Sequence, residues 1–156
     1  MRRAEREVLE TEFMHQVLHE ADELFLAMNT GDAPYVLPVN HVLYKGDLFF
    51  HCATEGRKLE LMKSDARVGF STAVDIRVVG TTTRYRSVCG TGTASEVEDP
   101  VLKDEVLRAI AARFKAPCQF PVPPDVFART GLVCIRIESL TGKHSREGEG
   151  PRAIKS

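Results

Sequence analysis

The chain has 156 residues, of which 43% are hydrophobic and 28% are charged, and it contains no tryptophan. This size suits one compact domain, and this proportion of apolar residues excludes disorder of the whole chain. The 21 lysines and arginines nearly balance the 22 aspartates and glutamates, for a formal net charge of -1. That balance excludes the broad basic field of a nucleic-acid-binding protein, so any anion site must be local.

The lack of a recognisable targeting or membrane-spanning segment, together with the cysteine usage, predicts a cytoplasmic protein. The first seven residues are mostly charged, and no apolar run approaches the roughly 20 residues that span a bilayer. We therefore expect no membrane partner. Four cysteines without C-x-x-C spacing, in a domain that needs no disulfide bonds, predict four free thiols, mostly buried, and no metal site. They are Cys52, Cys89, Cys118 and Cys134.

In the first half of the chain, residues 11–22 form a predicted amphipathic helix, because apolar residues recur there at spacings of three and four. Three strands are predicted next, separated by turn residues at 29–32 and 45–47. These strands cover Leu24–Met28, Tyr35–Tyr44 and Leu48–Cys52. Over residues 57–63 the spacing of apolar residues then predicts a short helix.

In the second half, alternation predicts a strand over Val68–Val74, whereas residues 77–83 have no clear period and are predicted as a loop. Residues 85–97 form a long predicted strand, and Gly90 and Gly92 inside it indicate a bend or bulge. Asp99 and Pro100 then predict the start of the best helix, which ends near Lys115. The remaining elements are a surface connection at 117–124, one or two helical turns at 124–129 and a last strand at 132–140.

Six strands with irregularly placed helices do not alternate as a doubly wound sheet requires. The pattern favours a mainly β fold, a six-stranded antiparallel barrel with peripheral helices. Several strands are apolar on both faces, so one face can fill the barrel while the other meets a helix or a second subunit. We expect one domain over residues 1–143 and a mobile tail over residues 144–156.

The most informative segment is Gly56-Arg57-Lys58, at the start of the helix predicted after Cys52. Cations at a helix N-terminus oppose the positive end of the helix dipole, and a bound anion would remove that conflict. Free N–H groups of the first turn and two cationic side chains can together hold a phosphate. The alternative is that both side chains are simply solvated. No dinucleotide-binding or P-loop glycine pattern is present, so the phosphate would belong to a cofactor bound by another system.

Several ordered blocks of the sequence resemble the pyridoxamine 5'-phosphate oxidase-like FMN-binding split barrels, and within them the nitroimidazole-resistance (Nim-type) branch. The resemblance covers roughly residues 5 to 143 and lies in the order and spacing of the blocks. They are Ala27-Met28, Pro34 to Asn40, Gly46 to His51, Gly56 to Leu59, Arg84 to Gly90 and Leu140 to Lys143.

This resemblance implies a split β-barrel homodimer with FMN in the cleft between subunits. It implies that Arg57 and Lys58 hold the FMN phosphate and that His51 and Cys52 line the ribityl and phosphate path. The backbone of Pro38, Val39 and Asn40 would lie along the flavin ring, and Ser87 would add a contact from the long strand.

Two departures from the family narrow the substrate. Full pyridoxamine-phosphate oxidases carry a C-terminal segment with Trp and Arg that closes over the flavin, whereas this chain has no Trp and ends soon after Lys143. Pyridoxamine phosphate is therefore not the expected substrate. Nim-type relatives often place an aromatic run before the Arg-Tyr-Arg-Ser block, where this chain has Val79 to Thr83, so the substrate wall is expected to differ.

Among the remaining residues, His51 is the catalytic candidate, because it lies where a strand meets the proposed phosphate loop and could pass a proton. The alternative is a structural histidine that only orients the cofactor. Arg84 and Arg86 share one strand face, where ion pairing is the simpler interpretation.

We expect an FMN-dependent oxidoreductase that reduces a small oxidised substrate, nitroaromatic or quinone-like, with NADH or NADPH as a possible electron donor. One alternative is a flavin- or haem-binding carrier module without turnover, since no acid, base or nicotinamide site is evident. Another is a reductase that uses a deazaflavin in place of FMN.

Overall fold

The computed structural model describes residues 6–145, and over that range the chain forms four helices and eight strands. The helices are α1 (Thr11–Glu20), α2 (Arg57–Ser64), α3 (Pro100–Arg113) and α4 (Pro124–Arg129). The strands are β1 (Glu7–Val8), β2 (Glu23–Met28), β3 (Tyr35–Asn40), β4 (Val42–Tyr44), β5 (Asp47–Ala53), β6 (Arg67–Val79), β7 (Thr82–Glu96) and β8 (Thr130–His144). The fold is mainly β, as predicted.

All eight strands belong to one antiparallel sheet in the order β3-β2-β6-β7-β8-β5-β4, with β1 paired beside the end of β8. Although β3 and β5 are separated by four strands in this order, Val39 of β3 and Phe50 of β5 lie in the same apolar cluster. The sheet therefore curls around one core without closing at its edge strands, β3 and β4. This architecture confirms the predicted split barrel.

Two apolar clusters lie on opposite faces of the sheet. The inner cluster fills the curled sheet and is completed by α1 through Val17 and Leu18 and by α2 through Leu59 and Met62. The outer cluster lies between α3 and the strands β4, β5 and β8. It is formed by Val42, Phe49, Val106, Ile110 and Leu132. Alternation of side chains along β5 supplies both clusters from one strand, which explains its continuous apolar sequence.

The structure corrects two strand predictions. Residues 35–44 are not one strand, because the chain turns at the buried His41 and passes from one edge of the sheet to the other. Residues 77–83 are not a loop, because Arg77 pairs with Arg84 in the hairpin of β6 and β7. Because that hairpin is exposed on both faces, its sequence shows no alternation of apolar and polar residues. Together with β1, the break at His41 raises the strand number from six to eight.

Other local predictions are confirmed. Helices α1, α2 and α3 lie where the periodicity places them, and the Asp99 side chain accepts a hydrogen bond from the Val101 N–H at 2.9 Å. The register of β7 against β8 shifts between Thr91 and Gly92, as the glycines indicate. A Cβ added at Gly90 would lie 2.4 Å from the Phe70 ring, so this position has room only for glycine.

The cysteine prediction is half correct. All four thiols are free, but Cys89 and Cys118 are exposed, while Cys52 and Cys134 are half-buried. The expectation of mostly buried thiols is wrong because Cys89 faces outward from β7. At the C-terminus, β8 continues to His144, and the Ser145 N–H donates to the Tyr85 carbonyl at 3.0 Å. The rest of the predicted tail, residues 146–156, lies outside the described residues.

Candidate functional site

The N-terminus of α2 is open toward solvent. It begins after Gly56, whose φ of +123° lies in the region that favours glycine, and no side chain caps it. The Leu59 and Glu60 N–H groups donate to the Gly56 carbonyl at 2.9 and 3.2 Å. The N–H groups of Arg57 and Lys58 have no acceptor within the helix, so they remain as donors for an external ligand.

The two cations of this first turn rest on aromatic rings. The Arg57 guanidinium lies 5.2 Å from the centre of the Tyr35 ring on β3, and Lys58 Nζ lies 5.9 Å from the Phe50 ring on β5. These distances are within the range of cation–π attraction. Arg57 and Lys58 thus bring the edge strand β3 and the strand β5 together at one end of the barrel.

In the part of the chain that the structure describes, neither cation is neutralised by a neighbouring acid. Within residues 6–145, no carboxylate forms a salt bridge with Arg57 or Lys58, whereas Lys63 at the other end of α2 pairs with Glu96 at 3.0 Å. The charges of Arg57 and Lys58 add to the positive end of the helix dipole. The first turn of α2 is therefore a local electropositive site in a chain of nearly balanced charge.

Cys52 borders this site as a neutral thiol. Burial raises the pKa of the Cys52 thiol, and the nearby Lys58 charge opposes that rise. A neutral thiol adds no negative charge beside the two cations. Cys52 can therefore line an anion site without repelling an anion.

His51 and Cys52 face opposite sides of the sheet. Phe50 belongs to the inner cluster and Cys52 packs against it, whereas Phe49 belongs to the outer cluster under α3. By alternation, His51 lies on the same outer face as Phe49, where it is exposed. Lys58 lies over the Phe50 ring, so in one chain the site of the two cations has Cys52 on its side of the sheet and His51 on the other.

The segment Pro38 to Asn40 ends the edge strand β3. Val39 points into the inner cluster, while Pro38 and Asn40 face outward. The Asn40 side-chain amide donates to the Asp22 carbonyl at 3.1 Å, so that side chain is already engaged. The segment begins three residues from Tyr35, which contacts Arg57, a separation of about 10 Å along the strand. It is close enough to share one elongated ligand with the α2 N-terminus.

Ser87 lies far from Arg57 and Lys58 within one chain. Ser95 of β7 and Phe49 of β5 are level with each other, since both pair with Cys134 of β8. Ser87 lies eight residues from Ser95, about 26 Å along the strand. The fold of a single chain does not bring Ser87 to Arg57.

A cavity of about 720 Å³ opens at the other end of α2, beside the turn between β2 and β3. Its charged residues include Asp65 and Arg67, whose side chains pair at 2.7 Å. The Arg67 guanidinium, followed by the Asn29 amide, holds the pKa of the Asp65 carboxyl well below its usual range. The two charges offset each other, so this cavity lacks the free positive charge of the α2 N-terminus.

Residues 6–145 contain neither a metal-binding cluster nor a membrane-spanning helix. No group of three or more histidine, cysteine or acidic side chains is placed to hold a metal ion. No helix in that range is both long enough and apolar enough to cross a membrane.

Sequence reasoning missed three residues that the fold makes important. Tyr35 and Phe50 support the two cations, and His41 is completely buried at the corner between β3 and β4. Tyr35 and Arg57 are distant in sequence, so no local spacing could join them. The sequence assigned no role to His41, because a histidine after an apolar strand is usually structural.

Comparison with known proteins agrees with the fold. The model of the family described as pyridoxamine 5'-phosphate oxidase matches residues 10–144. No curated protein matches the chain by sequence. A candidate 5-nitroimidazole antibiotic resistance protein from Bacteroides thetaiotaomicron superposes with a TM-score of 0.78 at 20% identity, over 88% of this chain and 85% of that protein.

Two further solved structures are similar. The flavocytochrome Anf3 from Azotobacter vinelandii superposes with a TM-score of 0.80 at 16% identity, over 94% of this chain and 72% of its own. The FAD and haem binding protein from Mycobacterium smegmatis gives a TM-score of 0.79 at 20% identity, over 95% and 77% of the two chains. At these identities the likeness establishes the shared fold.

Proposed function

The chain belongs to the pyridoxamine 5'-phosphate oxidase family, and from that membership we propose that it is a flavin-binding oxidoreductase that uses FMN. The observation that carries the proposal is the open, uncapped N-terminus of α2 with the cations Arg57 and Lys58, which have no carboxylate partner among residues 6–145. A terminal phosphate dianion matches this set of donors in charge and in hydrogen bonding, because two backbone N–H groups and two cationic side chains are available in the first turn of α2.

The same donors favour FMN over FAD. The phosphate of FMN is a terminal monoester with up to two negative charges, whereas each phosphate of FAD is part of a pyrophosphate bridge and carries one. Two cations and a helix N-terminus stabilise the doubly charged group more strongly. The name of the Mycobacterium smegmatis relative, which binds FAD and haem, makes FAD the principal competitor in the test.

The flavin would supply transfer of electrons to the substrate, and the chain's own residues would bind and orient it. Arg57 and Lys58 would hold the phosphate, with Cys52 beside them. The backbone of Pro38, Val39 and Asn40 would lie along the polar edge of the ring. His51 would donate or accept a proton only if it reaches the substrate around the sheet edge or from a second subunit.

The reaction we propose is reduction of a small nitroaromatic or quinone-like molecule, with NADH or NADPH as donor. The fold is shared with a candidate 5-nitroimidazole antibiotic resistance protein, which supports the nitroaromatic class. None of these 156 residues is a tryptophan that could form an aromatic lid over the flavin. One ring face would therefore stay open to a planar substrate.

We also propose that the active unit is a homodimer. Ser87 lies about 26 Å along the strand from the level of Phe49, beyond which β5 leads to Arg57, so one flavin touches both residues only if they come from different copies. No helix among residues 6–145 covers the outer face of β2, β3, β6 and β7, which offers a surface for the second copy.

The test of the cofactor site compares two ligands on one variant. Arg57→Ala combined with Lys58→Ala should weaken FMN binding by at least about 100-fold, since two charged hydrogen bonds to phosphate contribute about 3 kcal/mol or more together. Binding of riboflavin, which lacks the phosphate, should change less than about threefold. Fluorescence quenching of each flavin measures both affinities.

The matched control is Lys63→Ala, which removes a cation from the same helix but away from its N-terminus. It should leave FMN affinity unchanged. Equal losses for FMN and riboflavin in the double variant would contradict the phosphate assignment, and a wild-type protein that binds neither flavin would contradict the proposed function. Mass spectrometry of the ligand that co-purifies separates FMN from FAD and from a deazaflavin.

A second function is a carrier or sensor module that binds flavin or haem without turnover. It is favoured by the similarity to a flavocytochrome and to an FAD and haem binding protein. Steady-state assays with NADH or NADPH and a panel of nitro and quinone acceptors distinguish the two. Tight flavin binding with no turnover on any acceptor would favour the module.

A further inference from the structure

His41 occupies the corner at which the chain leaves the edge strand β3 and enters β4. Its side chain is completely buried, and its Nε2 atom lies 2.7 Å from the Leu18 carbonyl oxygen at the end of α1. A carbonyl can only accept, so Nε2 carries the proton and donates. The other ring nitrogen, Nδ1, is buried without a hydrogen-bond partner among residues 6–145.

The same end of α1 is held by two further side chains. The Arg113 guanidinium of α3 donates to the carbonyls of His19 and Ala21. The Asn40 amide donates to the carbonyl of Asp22 at 3.1 Å. The last carbonyls of a helix have no N–H partner within it, and here His41 and Arg113 satisfy those of Leu18 and His19, while Ala21 and Asp22 follow the helix. The contacts join α1, α3 and the end of β3 into one unit.

Two of these contacts come from adjacent residues, Asn40 and His41, at the end of β3. As an edge strand, β3 has a ladder of hydrogen bonds with β2 alone, and Pro38 has no N–H to contribute to it. A strand held on one side only is easily displaced at its end. The bond from His41 to Leu18 fixes the end of β3 independently of that ladder.

From this geometry we propose that His41 is a positioning residue, which fixes the backbone of Pro38 to Asn40 at the place where the flavin ring would lie. The inference rests on the proposed flavin site. The hydrogen bond from Nε2 to Leu18 sets the position of the corner, and the corner sets the position of the preceding three residues. Loss of that bond displaces backbone groups that meet the ring, without touching the phosphate site at α2.

The buried environment also keeps His41 neutral. Burial is the largest cause that lowers the pKa of His41, to about 4, and the nearby Arg113 charge lowers it further, while the Leu18 carbonyl and Asp22 act in the opposite direction. A neutral ring with its proton on Nε2 is the form that donates to Leu18. The contact is therefore intact at neutral pH.

The experiment compares His41→Ala, His41→Gln and Val42→Ala. Val42 is the adjacent buried residue, but it points into the outer cluster under α3, so it controls for general loss of stability. His41→Ala should weaken FMN binding at least tenfold and shift the visible absorption band of the bound flavin. His41→Gln keeps an N–H donor of similar reach and should recover most of the affinity. Val42→Ala should change the affinity less than twofold.

Hydrogen exchange in the flavin-free protein is a second measurement that needs no ligand. Amides of residues 35–40 should exchange at least tenfold faster in His41→Ala than in Val42→Ala at matched stability. Equal affinity losses in those two variants, or equal exchange rates, would overturn the positioning role. If wild-type protein binds no flavin, the proposed function fails, and the exchange rates still decide whether His41 fixes β3.

Discussion

The outer face of the sheet has two halves that differ in what covers them. Over β4, β5 and the start of β8, α3 packs on large apolar side chains, and Phe49 is only 4% exposed. Over β2, β3, β6 and β7 the described chain places no helix, and Phe25 on the same outer face is 53% exposed. Two phenylalanines on one face of one sheet thus have opposite environments.

The residues of the two halves differ accordingly. Around Phe25 the outward positions are mostly small or weakly polar, and they include Gly69, Ser71, Cys89 and Thr91. Such a surface is flat, with few long side chains to order on contact. It suits close approach of a second copy, whereas the α3-covered half is part of the stable core. The difference separates residues that hold the fold from residues that would meet the second copy of the proposed homodimer.

The largest expected effect tests the two phenylalanines directly. Phe49→Ala should lower the free energy of unfolding by about 3–5 kcal/mol, because it opens a cavity under α3. Phe25→Ala should cost less than about 1 kcal/mol in protein diluted to the monomer, because that side chain is already half in water. Denaturant unfolding followed by circular dichroism measures both. Similar losses would show that the half of the outer face over β2, β3, β6 and β7 stabilises the fold as much as the half under α3.

A second prediction concerns His41, which lies at the corner between the two halves. Its pKa of about 4 in the folded chain lies below the value of about 6.5 in the unfolded chain. The unfolded state therefore binds a proton first as pH falls, and stability should drop between about pH 6.5 and pH 4 by about 3 kcal/mol in total.

The groups facing His41 include Arg113 on α3 and Asp22 before β2. Chemical denaturation at several pH values measures the drop. His41→Gln should flatten the profile in this window, since glutamine does not titrate. An unchanged profile in that variant would assign the acid sensitivity to other groups.

The third prediction tests whether the uncovered half of the outer face, over β2, β3, β6 and β7, forms the interface of the proposed homodimer. Phe25→Glu should raise the dissociation constant of the dimer at least 100-fold, about 2.7 kcal/mol, by placing a charge on the surface that would be buried. Sedimentation equilibrium measures the change. The control is Val101→Glu, on an exposed apolar residue of α3 in the covered half, which should leave association unchanged. A dimer that tolerates Phe25→Glu would move the interface elsewhere.

The smallest expected effect concerns α3, the helix that covers one half of the outer face and not the other. Asp99→Ala removes the side chain that caps α3 through the Val101 N–H and should cost about 1 kcal/mol of unfolding free energy. The adjacent Glu98→Ala, which leaves the cap in place, is the control. Equal thermal unfolding midpoints for the two variants would show that this cap does not stabilise the covered half.

Much of the fold could be predicted from short stretches of sequence. Helix α3 follows from its Asp99-Pro100 start and its apolar period, and the turn at Gly46 with a φ of +93° follows from its sequence. Helix electrostatics predicted Gly56 and the cations after it as an anion site, with solvated side chains as the alternative, and no observation on the described residues tests that prediction. The β6–β7 hairpin was misread because residues in an exposed ribbon carry no burial pattern.

The sequence by itself determined the class of the fold, the family and the place of the electropositive site, because period, capping and charge at a helix terminus are local properties. Only the tertiary structure decided that His51 and Cys52 face opposite sides, that Ser87 lies far from Arg57, that Tyr35 supports that arginine, and that His41 is buried between two edges of the sheet. These facts depend on the order and curl of the strands, which pair residues distant in sequence.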